Sequence, residues 1–294
     1  MSTSLAADMF ATLLDSLSEG DFLLFQQLIE KEAGIHLAAE KKALLVGRLT
    51  RRLRELRILT LRTYYKRVIT DPAELTRMLD CISTNETHFF REPGHYELLS
   101  QTILPWWSDT AKAAGRTRQI RVWSAGCSTG EEPYSLAMTL LDHFPNSSGW
   151  HVDILATDLS TRVLQSAQEA EWPIEKAREI PTPYLKAYMR RGTGVHEGTM
   201  RAGSEIRQVV RFERLNLLEP ASYPKSKLFD LIFCRNVLIY FQPDTKRQVI
   251  ERLLSHLAPD GYLFVGHSES LNHLTDAVRT VIPTVYTRAH AERG

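Results

Sequence analysis

Apolar residues between Asp8 and about Ile82 recur at helical spacing, with no alternating strand pattern, and Gly20, Gly34 and Asp71-Pro72 punctuate them. The pattern predicts a small helical domain. Within it, Leu45, Leu49, Leu53 and Leu56 fall within about 80° of one another at 100° per residue, with Arg48, Arg51 and Arg54 on the other side. The leucines are expected to pack inward and the arginines to face out. Beyond residue 119 short apolar runs alternate with amphipathic stretches. They predict strands at 120–124, 152–157, 209–213, 228–234 and 261–266, a last strand near 280–287, and helices at 131–143, 160–170 and 244–257. This alternation predicts an α/β domain on an open parallel sheet. Between Glu171 and Arg207 the period breaks down: Pro173, Pro181, Pro183, Gly192, Gly194, Gly198 and Gly203 mark an insertion with a hairpin around RGTGVHEGTM.

The stretch RVWSAGCSTGEEPYSLA, Arg121 to Ala137, joins the first strand to the first helix of the α/β part. Ser124 to Gly130 contains only Ser, Ala, Gly, Cys and Thr, so backbone can approach a ligand closely. Thr129 is the expected helix cap, and Pro133 sits in the first turn, where its missing N–H costs nothing. The glycines are spaced G-x-x-x-G, not G-x-G-x-x-G, and Glu131 and Glu132 occupy the first helical turn. Carboxylates there would repel a pyrophosphate, which excludes a dinucleotide and suits a nucleoside without phosphates. Asp158 ends the next strand, where an acid typically takes ribose hydroxyls.

The composition, 43% hydrophobic and 24% charged over 294 residues, is that of an ordinary globular chain. No apolar run reaches membrane-spanning length and the first twenty residues carry Asp8, Asp15 and Glu19 without a basic residue, so a cytoplasmic location is expected. Cys81, Cys127 and Cys234 are scattered and read as buried small residues. His88, His95 and His267 lack metal-ligand spacing and read as surface or turn residues, so no metal is expected. The net charge of +1 is uneven: residues 31–67 carry a net +8, and only Glu55 answers the arginines between Arg48 and Arg57. A solvated face is one reading; an acidic partner is slightly favoured.

Four segments together resemble the bacterial chemotaxis receptor methyltransferases, the CheR family: Thr84 to Glu92 (TNETHFFRE), SAGCSTGEEPYSLAM, FCRNVLIYF at Phe233 to Phe241, and GHSES at Gly266 to Ser270. The resemblance implies methylation of glutamate side chains on chemoreceptors from S-adenosylmethionine, with S-adenosylhomocysteine as product. It implies an all-α N-terminal domain (1–82, with the basic receptor-facing helix), a connecting segment carrying active-site residues (83–119), and a Rossmann-like methyltransferase domain (120–294). A small antiparallel β-subdomain is expected inside the last, at about 186–208.

Carried over position by position, the resemblance implies cofactor contacts at Asn85, Thr87, Arg91, Glu132, Asp158, Asn216, Leu217, Arg235 and Asn236. It places Arg91 and Tyr240 beside the reacting methyl group. Arg48, with Arg51, Arg52 and Arg54 nearby, matches the receptor-contacting helix, and Gly192-Thr193-Gly194 resembles the loop that holds a receptor's C-terminal tethering peptide. Gly126 and Cys127 stand where some members carry alanines. A monomer that meets the membrane only through its receptors is expected. Taken without the resemblance, Arg91 could pair with Glu92 or Glu97, Tyr240 could be a core aromatic, and Asn236 could cap the turn after its strand.

Two other functions are weighed. A nucleic-acid methyltransferase would use the basic helices to hold phosphates, but no aromatic stacking platform accompanies them and no D/N-P-P-Y-type motif is present. A binding module without turnover would not need every matched site residue.

Overall fold

The computed structural model describes residues 2–114, 118–225 and 228–289. The helical region contains α1 (Ser2–Ser16), α2 (Glu19–Ala33), α3 (Lys42–Glu55), α4 (Leu61–Val68) and α5 (Pro72–Ile82). Its helix starts follow from local side chains: the Ser18 hydroxyl accepts from the Asp21 N–H, Thr60 accepts from Thr63 N–H, and Asp71 accepts from the Ala73 and Glu74 N–H groups ahead of Pro72. Leu45, Leu49 and Leu53 are buried against Phe22, Phe25, Ile29 and Tyr64, and Leu56 packs half-buried at the edge.

Helices α6 (Pro93–Leu98) and α7 (Leu104–Ala114), joined by a π-helical turn at Leu99–Ile103, follow. Sequence spacing reads this stretch as a connection, yet Phe89, Phe90, Tyr96, Leu99, Leu104 and Trp107 are buried in the same core as Ile120 and Val122. Burial of so many large side chains makes it part of the sheet's core.

The remaining elements are β1 (Gln119–Ala125), α8 (Glu131–His143), β2 (His151–Asp158), α9 (Thr161–Glu169), β3 (Glu171–Pro173), α10 (Thr182–Tyr188), β4 (Met189–Arg191), β5 (Thr199–Ala202) and α11 (Ser204–Arg207). Then come β6 (Val210–Arg214), β7 (Phe229–Cys234), α12 (Pro243–Ser255), β8 (Leu257–Val265), β9 (Val278–Ile282) and β10 (Val285–Arg288). Seven strands form one sheet in the order β6-β2-β1-β7-β8-β10-β9. The first five pair in parallel, and β10 runs antiparallel to β8 and β9. From β1 the chain builds outward through β2 and β6, then returns to place β7 on β1's other side. The crevice above the carboxyl ends of β1 and β7 is therefore the expected ligand position of an open α/β sheet.

Four expectations need correction. The last strand is two, β9 and β10, because Thr284 adopts φ 69° and reverses the chain after Pro283. Helix α12 ends at Ser255, short of the expected 257, and β8 begins at Leu257, ahead of the expected 261, with a register shift opposite Phe229–Leu231. Cys81 is half-buried, whereas Cys127 and Cys234 are buried; all three are free thiols. The insertion forms a separate antiparallel sheet, β3-β5-β4, whose first strand lies before the 186–208 stretch.

Candidate cofactor and methyl-acceptor site

The loop after β1 closes the carboxyl end of the sheet through its backbone. The Gly126 and Cys127 N–H groups both donate to the Thr157 carbonyl, at 2.8 and 2.9 Å. Gly126 has φ 94°, and a Cβ there would lie 2.3 Å from Val237 Cγ2, so glycine serves the turn and the contact with the β7 side of the crevice. Ser128 N–H donates to Asp158 Oδ2 and Ser160 N–H to Oδ1, each at 2.9 Å. Burial pushes the Asp158 carboxyl upward, against the hydrogen bonds from Ser160 and Ser128. The helix cap is Gly130, at φ 98°, and not Thr129, whose hydroxyl donates to Glu131 Oε2 at 2.7 Å. A left-handed cap residue favours glycine over threonine.

On the opposite side Arg235 leaves the end of β7 with its side chain 1% exposed between two carboxylates. Its guanidinium lies 3.1 Å from Glu92 Oε2 and 3.3 Å from Glu132 Oε2, and it donates to the Arg91 carbonyl. Glu132 also accepts from the Ser124 hydroxyl at 2.7 Å. Burial works against the Arg235 charge, but Tyr96, Glu132 and Glu92 outweigh it and raise its pKa. Burial raises Glu132, with Arg235 opposing, whereas Glu92 is held low despite burial because Arg235 and the His267 N–H favour its anion. Non-glycine residues with positive φ cluster here: Phe90, Glu92, Ser128 and Asn236. Backbone held this way is a sign of a site fixed by its surroundings.

His95 corrects the surface reading of the histidines, for it is 2% exposed, while His88 and His267 are exposed. Burial, with Arg235 nearby, pushes its pKa down to about 4. Glu92, His95 and His267 bring ligand atoms within 4.8 Å of one another, a grouping invisible in the spacing. The Arg235 guanidinium on the same Glu92 oxygen neutralises the carboxylate and would repel a cation.

The third wall comes from the helical region. Gly34 ends α2 at φ 70°, and a Cβ would sit 2.9 Å from the Phe241 ring. The His36 N–H donates to the Tyr240 carbonyl at 2.9 Å, and Asn216 Nδ2 donates to the Glu32 carbonyl at 2.8 Å. Together the walls enclose a cavity of about 420 Å³. Asn85, Thr87, Glu132 and Asp158 line it, as do Asn216, Leu217, Arg235 and Asn236. Arg91, Tyr240 and Arg48 border the same space. Asn85 Nδ2 is buried without a hydrogen-bond partner, an orphaned donor at the wall of a cavity that also carries carboxylates. Such a wall fits a ligand rich in hydroxyls and amino groups, which is the chemistry of S-adenosylmethionine.

The four matched arginines separate. Arg48 donates to the Ile82 carbonyl and to Thr84 Oγ1 at 2.6 Å. Burial lowers its pKa, with Tyr240 opposing. Arg52 is clamped 2.6 Å from Glu74, itself 1% exposed. Arg51 and Arg54 are exposed, Arg51 pairing with Glu55 at 3.0 Å. The sequence reading missed the α2 turn, with Ile35, Leu37, Lys41 and Leu44 on the cavity. Gly34, between two helical runs, was its one signal.

A mixed sheet with a parallel core, a small-residue loop, an acid-ended second strand and a nucleoside-sized cavity define the S-adenosylmethionine-dependent methyltransferases as the class. The family model "CheR methyltransferase, SAM binding domain" matches residues 85–287, and "CheR methyltransferase, all-alpha domain" matches 20–83. The chain belongs to the CheR methyltransferase family. It is 38% identical over 289 residues to chemotaxis protein methyltransferase 2 of Pseudomonas aeruginosa, covering 98% of this chain and 100% of that one. With the chemotaxis protein methyltransferase of Escherichia coli it shares 39% identity, over 97% of this chain and 95% of the other. No helix among the described residues is long and apolar enough to cross a membrane.

Proposed function

We propose that this protein transfers a methyl group from S-adenosylmethionine to glutamate side chains of chemoreceptors, forming methyl esters in sensory adaptation. The observation that carries the reading is the cavity itself: the Asp158 and Glu132 carboxylates and the orphaned Asn85 amide share one wall system with Tyr240, Arg91 and Arg48. Asn85, Thr87, Glu132, Asp158, Asn216, Leu217, Arg235 and Asn236 would hold the cofactor. When bound, it supplies an electrophilic methyl group on a sulfonium.

The residues of the chain then have two tasks, alignment and the exclusion of water. A glutamate acceptor, with an ordinary pKa of about 4.3, is ionised at neutral pH, so no general base is needed. Alignment and exclusion of water dominate, and proximity of this kind contributes about 7–11 kcal/mol in favourable cases. Tyr240, anchored by its carbonyl to the α2 turn, offers a hydroxyl to place one acceptor oxygen. Arg91, donating to the Glu86 carbonyl at 3.0 Å, orients a carboxylate with its planar fork. Too strong a pairing with the acceptor would favour the ground state over a charge-neutralising transition state, which suits a partly exposed arginine.

The finer assignments belong to the same reading. Residues 1–82 are the receptor-facing helical domain, and 83–119, which bears Arg91 and packs into the sheet's core, joins it to the methyltransferase domain of 120–294. Arg51 and Arg54 meet the acidic receptor surface, Arg48 spans that surface and the cavity, and Gly192-Thr193-Gly194 takes a receptor's terminal peptide. The protein acts as a cytoplasmic monomer without a metal. Radiolabelled methyl transfer to receptor-bearing membranes tests this: label released as methanol by mild alkali supports the carboxyl ester. Cofactor binding with no alkali-labile transfer would overturn it.

A further inference from the structure

The β3–α10 insertion grips both cofactor loops from behind. Its 3-10 turn, Ile174–Glu179, extends Lys176 to Glu131 Oε1 at 2.6 Å and to the Thr87 carbonyl at 3.1 Å. Glu179 Oε2 accepts from the Phe89 N–H at 3.0 Å, and Trp172 Nε1 donates to the Thr129 carbonyl at 3.2 Å. Rings add to the grip: Phe89 meets Trp172 edge-on at 5.0 Å and Phe90 stacks on Tyr184 at 5.4 Å. Glu131 is 1% exposed, and the Lys176 ammonium neutralises its carboxylate, whose other oxygen accepts from the Thr129 hydroxyl.

We propose that Lys176 is a positioning residue for cofactor binding: it fastens the Thr87 segment to the Glu131 turn, and so fixes the spacing of two adjoining segments of the cavity wall. The inference rests on the cofactor reading of that cavity. Lys176 does not border the cavity. It acts through Thr87, which does, and through Glu131, whose neighbour Glu132 does. A lysine suits the task because one ammonium can donate to a carbonyl and a carboxylate at once.

The test compares Lys176→Met with Lys176→Arg and with Lys186→Met, an exposed lysine of the same insertion. S-adenosylhomocysteine affinity is measured by calorimetry, and kcat and KM by methyl transfer. Lys176→Met is expected to raise the Kd and the KM for S-adenosylmethionine about tenfold with kcat within about threefold. Lys176→Arg should recover most of the loss and Lys186→Met should match the wild type. Should Lys176→Met not fold, Lys176→Gln, which keeps a donor for Thr87 without the charge, carries the same comparison. A Kd within about twofold of the wild type in the folded variant overturns the proposal, as does a loss that arginine fails to rescue or that Lys186→Met shares. Failure of the wild type to bind S-adenosylhomocysteine would instead overturn the cofactor reading on which it rests.

Discussion

Arg235 at the end of β7 and the arginines of α3 bring the same charge into opposite surroundings. Arg235 is sealed between Glu92 and Glu132, and it also holds the Arg91 carbonyl, so its charge fixes backbone and carboxylates around the cavity. Arg51 is 87% exposed beside Glu55, where water screens it and its side chain keeps its freedom. On the proposed function the buried arginine therefore works through geometry and the exposed ones through encounter. Arg52 lies between these extremes: it is tied to a buried Glu74 that also accepts from Tyr64, at 2.9 Å, and neither Arg52 nor Glu74 lines the cavity. Position in the fold, and not residue type, assigns the role.

The sharpest break of this contrast is Arg235→Met. It strands two carboxylates, and removing one partner of a buried pair costs on the order of 3–5 kcal/mol. Denaturant unfolding should register that loss, and S-adenosylhomocysteine binding should disappear with it. Glu74→Gln separates stability from binding: about 2 kcal/mol should be lost, as for a charge-assisted hydrogen bond, with cofactor affinity unchanged. If affinity fell as well, the helical core would be shaping the cavity more directly than the geometry indicates.

Titration probes the buried side through His95 and Glu92. The folded pKa of His95, about 4, lies below its ordinary 6.5, so between these values the unfolded chain binds more protons. Stability is full above pH 6.5 and falls as the pH drops toward 4, and the lowered Glu92 pKa acts in the same direction. His95→Gln should flatten the slope of unfolding free energy over that window; an unchanged slope would place the titration elsewhere. The smallest effect is expected on the exposed side, where Arg51→Ala with Arg54→Ala should shift stability by under about 0.5 kcal/mol.

The α/β alternation, the small-residue loop and Asp158 were legible because each depends on local pattern. The leucine face of α3 was legible for the same reason, since helical period alone sets it. The Arg235 cluster was not, because Glu92, Glu132, Arg235 and His267 meet only through the strand order that sets β7 beside β1 and β8. His95 read as a surface residue because nothing local announces that its ring will lie against Phe264 and Thr284. The α2 turn was missed as a cavity wall for a similar reason: Gly34 marks a helix end in the sequence, while its contact with Phe241 is formed between regions.

The most direct measurement is steady-state methyl transfer by the Arg51→Ala, Arg54→Ala double variant, with receptor and S-adenosylmethionine varied independently at two salt concentrations. The account predicts a raised KM for receptor, a difference from the wild type that shrinks at high salt, and an unchanged KM for S-adenosylmethionine. An altered KM for S-adenosylmethionine, or an unchanged KM for receptor at low salt, would contradict the division between buried and exposed arginines.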